Sequence, residues 1–196
     1  MQSRIILASQ SPRRKELLAG LGLSFIVKVS AVDEDQATRD ASTLTPAELA
    51  QRLSALKAEA VAAHLSEGIV IGADTIVVLG EEILGKPMDA NDAEGMLRKL
   101  SGKTHLVISG VTVIDAQTKE QKSIYELTEV DFKEITDEEM AAYLVKANYL
   151  DKAGSYAVQE HGALFVKGIR GCFFNVVGLP LFKTAELLQV FDVKIL

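Results

Sequence analysis

Short apolar runs and amphipathic stretches follow one another along this chain with little else between them. The first run predicts a buried strand over residues 4–8, and it gives way at once to Ser9-Gln10-Ser11-Pro12-Arg13-Arg14. Leu17, Leu18 and Leu21 line one side of a helix over residues 12–19, which Gly20 and Gly22 end. Residues 25–29 predict a second strand. Residues 33–44 are polar and aperiodic, which predicts a mobile loop. Thr45-Pro46-Ala47-Glu48 then forms a capping box with proline at the first helical position. Leu49, Leu53, Leu56 and Ala60 give that helix an apolar stripe.

The most apolar stretch, residues 69–79, predicts a central strand broken at Gly72-Ala73-Asp74-Thr75. Glu81-Glu82 turns the chain into Ile83-Leu84, and Asn91 and Asp92 introduce a helix with Ala93, Met96, Leu97 and Leu100 on one side, closed by Gly102. Residues 105–115 predict a strand interrupted at Gly110. Residues 123–133 predict another, with a bulge where the apolar phase shifts between Leu127 and Val130. Thr136-Asp137-Glu138-Glu139 is a second capping box, ahead of a helix with Met140, Tyr143 and Leu144 on its apolar face. Residues 164–167 and 172–177 predict strands flanking a Gly168/Gly171 turn, and Gly178-Leu179-Pro180 opens a last helix. Strands and helices alternate irregularly, so the fold class is α/β with an α+β tendency.

A length of 196 residues allows one domain or a two-lobed one, and 48% hydrophobic with 24% charged residues is an ordinary globular balance. The formal net charge of -6 argues against a nucleic-acid binder, which needs an extended basic surface. A phosphorylated small substrate remains compatible, because a few converging cations override the global field locally. Cys172 is the single cysteine, which excludes an intrachain disulfide and a thiolate metal site. No run has the length of a membrane span and the N-terminus does not read as a signal peptide, so the expected address is the cytoplasm. His64, His105 and His161 lack the spacing of a zinc helix.

The candidate chemistry starts at Ser9-Gln10-Ser11-Pro12-Arg13-Arg14. Helix N-termini present unpaired N–H groups and attract anions, with Ser11 as the expected N-cap and Pro12 in the first turn. Arginine grips phosphate in bidentate fashion, and a helix start disfavours cations unless an anion is near, so this corner reads as a phosphate site. Asp74 lies inside an apolar strand, where a carboxylate is costly unless it is paired or bound to metal. It therefore caps a neighbouring turn, pairs with a buried cation, binds a metal or acts as a general base. One carboxylate from Asp33-Glu34-Asp35 together with Asp74 would suffice for a magnesium ion bound to phosphate oxygens. Lys57 sits at the border of the apolar stripe, where a surface position is the ordinary outcome and a cleft the alternative. Lys86 stands between Gly85 and Pro87 in a turn; no P-loop and no G-x-G-x-x-G occurs anywhere. Gln159 follows a glycine-bearing turn, where a capping or surface role is the default.

Several segments together resemble the Maf family: Leu7-Ala8-Ser9-Gln10-Ser11-Pro12-Arg13-Arg14, Gly72-Ala73-Asp74-Thr75, Gly85-Lys86-Pro87, Leu100-Ser101-Gly102, Asp151-Lys152-Ala153-Gly154-Ser155-Tyr156 and Asn175-Val176-Val177-Gly178-Leu179-Pro180. They run in the family's order over essentially the whole chain. The resemblance implies a nucleoside triphosphate pyrophosphatase that splits the α–β phosphate bond into a nucleoside monophosphate and pyrophosphate. It implies roles in removing surplus nucleotides and restraining septum formation, and a homodimer. The implied fold is a single two-lobed domain over residues 1–196, an elongated mixed sheet with flanking helices around a central cleft like that of the inosine triphosphatase group.

The family's substrate-binding set falls on Ser9, Arg13, Arg14, Lys57, Lys86 and Gln159. Asp74, Lys86, Arg13 and Lys57 are the implied catalytic groups, and Asp74 and Glu34 the implied ligands of a divalent cation, Mg2+ or Mn2+. Gly72-Ala73-Asp74-Thr75 and Gln159 resemble the branch acting on dTTP and UTP; the branch linked to 7-methyl-GTP tends to carry Ser-Asp-Gln and a Glu at those places. The chain departs from the family pattern at residues 146–150, at Ala157, at Ser109 and at Glu160-His161-Gly162. These departures bear on the base-side rim rather than on the reaction. A nucleotide-binding regulator of cell division without turnover, and a pyrophosphatase for modified nucleotides, are the competing readings. Neither a stable nucleic-acid complex nor a membrane association is expected.

Overall fold

The computed structural model describes residues 4–41 and 43–196. Its strands are β1 (Ile5–Leu7), β2 (Phe25–Val27), β3 (Ile69–Leu79), β4 (Glu82–Leu84), β5 (Thr104–Asp115), β6 (Gln121–Phe132) and β7 (Val166–Arg170). They form one mixed sheet in the order β2-β1-β3-β5-β6-β7, with β4 paired to β3. β1 runs parallel to β2 and β3, whereas β3–β4 and β6–β7 are antiparallel. The helices are α1 (Pro12–Gly20), α2 (Glu34–Asp40), α3 (Pro46–Ala62), α4 (Ala90–Leu100), α5 (Asp137–Lys146), α6 (Phe173–Val177) and α7 (Leu181–Val190), with 3-10 turns at Ala153–Ser155 and Glu160–Phe165. This is the mixed α/β class that the pattern predicts. No helix among the described residues is long and apolar enough to cross a membrane.

Two compact units divide the chain. The first comprises Met1–Asp74, Ser109–Glu126 and Gly178–Leu196, the second Thr75–Ile108 and Leu127–Val177. In the first unit the two-residue alternation of strands sorts side chains to opposite faces of the sheet. Ile5, Leu7, Ile69, Ile71, Val111 and Val113 pack with Leu18 of α1 and Leu187 and Leu188 of α7. Ile6, Ala8 and Val70 pack instead with Ala58, Val61 and Ala62 of α3. Asp74 and Gly72 share the phase of Val70, so the α3 face is also the face of the acidic candidate. In the second unit α4 packs on α5 and on the Ala153–Ser155 turn. An aromatic group of His105, Phe132, Tyr143, Tyr156 and Phe165 fills its interior.

Both predicted capping boxes form, at Thr45/Glu48 and Thr136/Glu139. Other expectations are corrected. Residues 33–44 are not an aperiodic loop: Asp33 accepts a hydrogen bond from the Gln36 N–H and starts α2, which buries no residue. Ser42 lies outside the described residues. A short polar helix without an apolar stripe gives periodicity nothing to detect. β3 and β5 pass unbroken through Gly72 and Gly110, because each glycine makes room for a helix rather than a turn: a Cβ would lie 2.2 Å from Ser54 O at Gly72 and 2.2 Å from Ala50 O at Gly110. Residues 173–177 form the helix α6 rather than a strand, and Gly168 lies inside β7 rather than in a turn. Along β6 the pairing with β7 shifts register at Asp131/Phe132.

Candidate active site

The cluster in the first unit begins at the end of β1. Ser9, just past the strand, is buried, and Arg14 enters from the first turn of α1. Pro12 opens α1 as predicted, with Ser11 at the N-cap position, but the Ser11 side chain makes no capping bond. Instead the Ser11 N–H donates to Ser9 Oγ at 3.3 Å, and Arg14 Nη1 donates to the same oxygen at 3.1 Å. Arg14 Nε donates to the carbonyl of Gly178 at 2.9 Å. Two fixed partners orient a guanidinium that is only 8% exposed.

Asp74 and Lys57 meet across the α3 face of β3. Lys57 Nζ donates to Asp74 Oδ1 at 2.6 Å, and Glu34 Oε2 from the start of α2 lies 3.0 Å from the same nitrogen. Lys57 and Asp74 are each 6% exposed, whereas Glu34 keeps 40% of its side chain open. The border position of Lys57 thus turns inward, because Asp74 supplies the counter-charge that burial of an ammonium requires. Burial lowers the Arg14 guanidinium from its ordinary value; Asp74 and Glu34 pull it back up, and Arg13 lowers it further. Two carboxylates and three cations therefore act on one another electrostatically at this point. The cationic helix start that seemed to demand an external anion has acidic neighbours within the chain.

Ser9, Arg13, Arg14, Glu34, Lys57 and Asp74 all belong to the first unit. Of the acidic triplet, Glu34 reaches Lys57, while Asp33 is engaged as a helix cap and Asp35 is exposed. Lys86 and Gln159 belong to the second unit. Lys86 is exposed after β4, and Gln159 occupies the N-cap position of the Glu160–Phe165 turn without a side-chain capping bond. Lys152, quoted within a motif but given no role, is buried there at 4% exposure and donates to Asp151 Oδ1 at 2.8 Å and to the Asn148 carbonyl. Its sequence signal was the Asp-Lys pair itself, which composition cannot distinguish from a surface turn.

A divalent cation is a matter of fit. No group of three or more His, Cys, Asp or Glu residues is arranged to hold a metal among the described residues. Magnesium, however, needs only one or two protein carboxylates when phosphate oxygens and water complete its shell. Asp74 and Glu34 supply hard oxygen donors around a position that an ammonium now occupies, so the donor set suits such an ion.

Fold and cluster together define a mixed α/β protein with a paired cationic and acidic site of the kind that handles phosphate-bearing molecules. The chain belongs to the Maf family: the profile of Maf-like proteins matches residues 4–191. It is 48% identical over 191 residues to a dTTP/UTP pyrophosphatase of Desulforamulus reducens, covering 97% of this chain and 98% of that protein. It is 46% identical over 192 residues to a dTTP/UTP pyrophosphatase of Pelotomaculum thermopropionicum, covering 98% of each. The family and branch implied by the motifs are those of these relatives. A dITP/XTP pyrophosphatase structure from Mycobacterium abscessus superposes with a TM-score of 0.46 at 13% identity, over 95% of this chain and 94% of that one, a likeness too slight to inform function.

Proposed function

We propose that this chain hydrolyses the α–β phosphate bond of nucleoside triphosphates, dTTP and UTP foremost, releasing a nucleoside monophosphate and pyrophosphate. The observation that carries the reading is the convergence of Asp74 and Glu34 on Lys57, within the electrostatic reach of Arg14 and Arg13. The near half-identity to dTTP/UTP pyrophosphatases over almost the whole chain supports the substrate class.

Asp74 accepts a proton from the water whose oxygen bonds to the α-phosphorus, while the bond from that phosphorus to the bridging oxygen breaks and pyrophosphate departs with its electron pair. Arg13, Arg14 and Lys57 counter the charge that builds on the leaving group. Ser9 and its hydrogen bonds hold Arg14 at a set angle, so little reorganisation is needed as charge develops. A magnesium or manganese ion held by Asp74 and Glu34 would neutralise triphosphate charge and polarise its oxygens. Lys57 then exchanges its carboxylate partners for phosphate oxygens. Lys86 and Gln159 stay candidates for substrate binding.

The test offers dTTP, UTP, CTP, dITP and 7-methyl-GTP to the purified protein with Mg2+, with Mn2+ and with a chelator, and separates pyrophosphate from orthophosphate. Metal-dependent pyrophosphate release, fastest from dTTP and UTP and abolished by Asp74→Asn, is expected. Tight nucleotide binding without release would make the protein a nucleotide-binding regulator instead.

A further inference from the structure

Within the first unit, α3 meets the sheet along a row of small residues. Ala50, Ser54 and Ala58, spaced four apart, are all fully buried. Two strand glycines face them. A Cβ on Gly110 would strike the Ala50 carbonyl oxygen, and one on Gly72 would strike the Ser54 carbonyl oxygen and lie 2.8 Å from the Ala58 nitrogen. Contact of this kind sets how near the helix lies to the strands. It resists sliding along the helix axis only weakly, because glycine and alanine have no long side chains to interdigitate as ridges in grooves.

Ser54 is the polar member of the row. Its Oγ donates to the Gln51 carbonyl at 2.7 Å and lies 2.7 Å from Oγ1 of Thr112 on β5, another fully buried residue. Thr112 Oγ1 lies in turn 2.8 Å from Oγ of Ser123 on β6. A hydroxyl has one proton to give. With Ser54 donating to Gln51, Thr112 donates to Ser54 and Ser123 donates to Thr112. A one-way chain of hydrogen bonds therefore runs from β6 through β5 into α3, all of it inside the first unit. Stability alone does not account for it, since buried hydroxyl pairs replace bonds to water and apolar groups of the same shape do about as well. What the bonds add is direction: they lengthen and bend as soon as the helix slides.

Lys57 stands three residues beyond Ser54 on α3, and Asp74 stands two residues beyond Gly72 on β3. Ser54 sits over Gly72 and Lys57 reaches Asp74, so a slide of the helix moves both contacts together. We propose that Ser54 is a positioning residue: its hydroxyl chain to Thr112 and Ser123 fixes α3 along the sheet and so holds Lys57 Nζ at Asp74. The proposal rests on the reading of Lys57 as a group that the reaction uses. The flexible lysine stem can follow a small slide. In doing so it leaves the one geometry in which the ammonium meets Asp74 at 2.6 Å and Glu34 at 3.0 Å together. Without the hydroxyls the chain folds, and the cation samples several places instead of one.

Position 112 separates packing from hydrogen bonding, because valine copies the shape of threonine and serine copies its hydroxyl. T112V is expected to unfold near the wild-type temperature yet lose about tenfold in kcat/KM for dTTP. T112S leaves a gap of one methyl and is expected to unfold at a lower temperature, with kcat/KM within about twofold of wild type. S54A, a side chain that the row already carries at 50 and 58, repeats the loss of activity without relying on valine being accommodated. S54A/T112V falls no further than T112V. A second readout needs no turnover: the proton–nitrogen NMR signal of the Lys57 ammonium, assigned by its absence from K57M/D74N. It should persist in T112S and broaden in T112V and S54A, which a merely structural role would not produce in proteins that stay folded. Activity that follows unfolding temperature, with T112S the poorer enzyme, would overturn the proposal. So would an ammonium signal unchanged in both T112V and S54A. Should the wild type release no pyrophosphate, the proposed function falls, and the ammonium signal still decides whether the hydroxyl chain places Lys57.

Discussion

At the scale of single residues, Lys57 carries the most consequence. Its position in the sequence, on the edge of a helical stripe, fits a surface lysine as well as a buried one. Only the fold shows that Asp74, seventeen residues on, is the partner that makes burial affordable. Removing one partner of a buried pair leaves the other uncompensated, so Lys57→Met is expected to cost about 3–5 kcal/mol of stability in urea unfolding, with K57M/D74N recovering much of it. Turnover should be lost in both, because the single variant lacks the cation that counters charge on the leaving group and the double variant lacks the proton acceptor Asp74 as well. Asp74 itself was legible, since a carboxylate in an apolar strand demands an explanation; Glu34 was separable from Asp33 and Asp35 through the family resemblance but not from spacing, and the fold sets it against Lys57. His105 gives a second residue-level prediction. Burial pushes its imidazole from 6.5 down to about 4, against a smaller upward pull from Asp131. The unfolded chain therefore takes up a proton near pH 6.5 that the native state refuses until about pH 4. Stability from this group is full above pH 6.5 and falls by about 3 kcal/mol as pH drops to 4, with no further loss below. Urea titrations at pH 7, 5 and 4 check this by difference, because H105Q lacks that part of the pH dependence.

At the scale of elements, helices with strong ends were readable and those without were not. Both capping boxes predict their helix starts from four residues each, because the reciprocal side-chain bonds are local. The helix α2 has an aspartate cap but no apolar face, and α6 is five residues of phenylalanine, asparagine and valine whose composition favours a strand. Tertiary context decides both. The glycines at 72 and 110 invite a reading as strand breaks, yet their purpose is the close approach of α3, and that approach brings Lys57 against β3. Gly72→Ala and Gly110→Ala are each expected to lose about 2 kcal/mol or more, since the atoms a methyl would strike are backbone oxygens of a helix that cannot yield alone. Gly95→Ala, on α4 with nothing within 4 Å of the added carbon, is the control and should be neutral or slightly stabilising by helix propensity. Thermal denaturation of the three variants side by side separates steric exclusion from a general effect of losing glycine.

At the scale of the molecule, motif order and chain topology carry different information. The motifs that mark the family lie in sequence order from the first strand to Pro180, and this order made the family legible without a structure. It concealed that the first unit is assembled from three separated stretches, the last of them Gly178–Leu196. That stretch holds no candidate catalytic group, yet Leu187, Leu188, Phe191 and Val193 complete the core formed by Ile5, Leu7, Ile69 and Ile71. Its first residue supplies the carbonyl that holds Arg14. Each of these side chains contributes about 1.5–3 kcal/mol when buried. Together they approach the whole margin of a small domain, about 5–15 kcal/mol. A chain ending at residue 180 is therefore expected to lose the cooperative unfolding transition in circular dichroism and all pyrophosphate release. It keeps Ser9, Arg13, Arg14, Glu34, Lys57, Asp74, Lys86 and Gln159, so activity in it would mean that the cluster stands without the core beneath it. Loss of both signals would place the C-terminal helix among the requirements of catalysis, through packing alone.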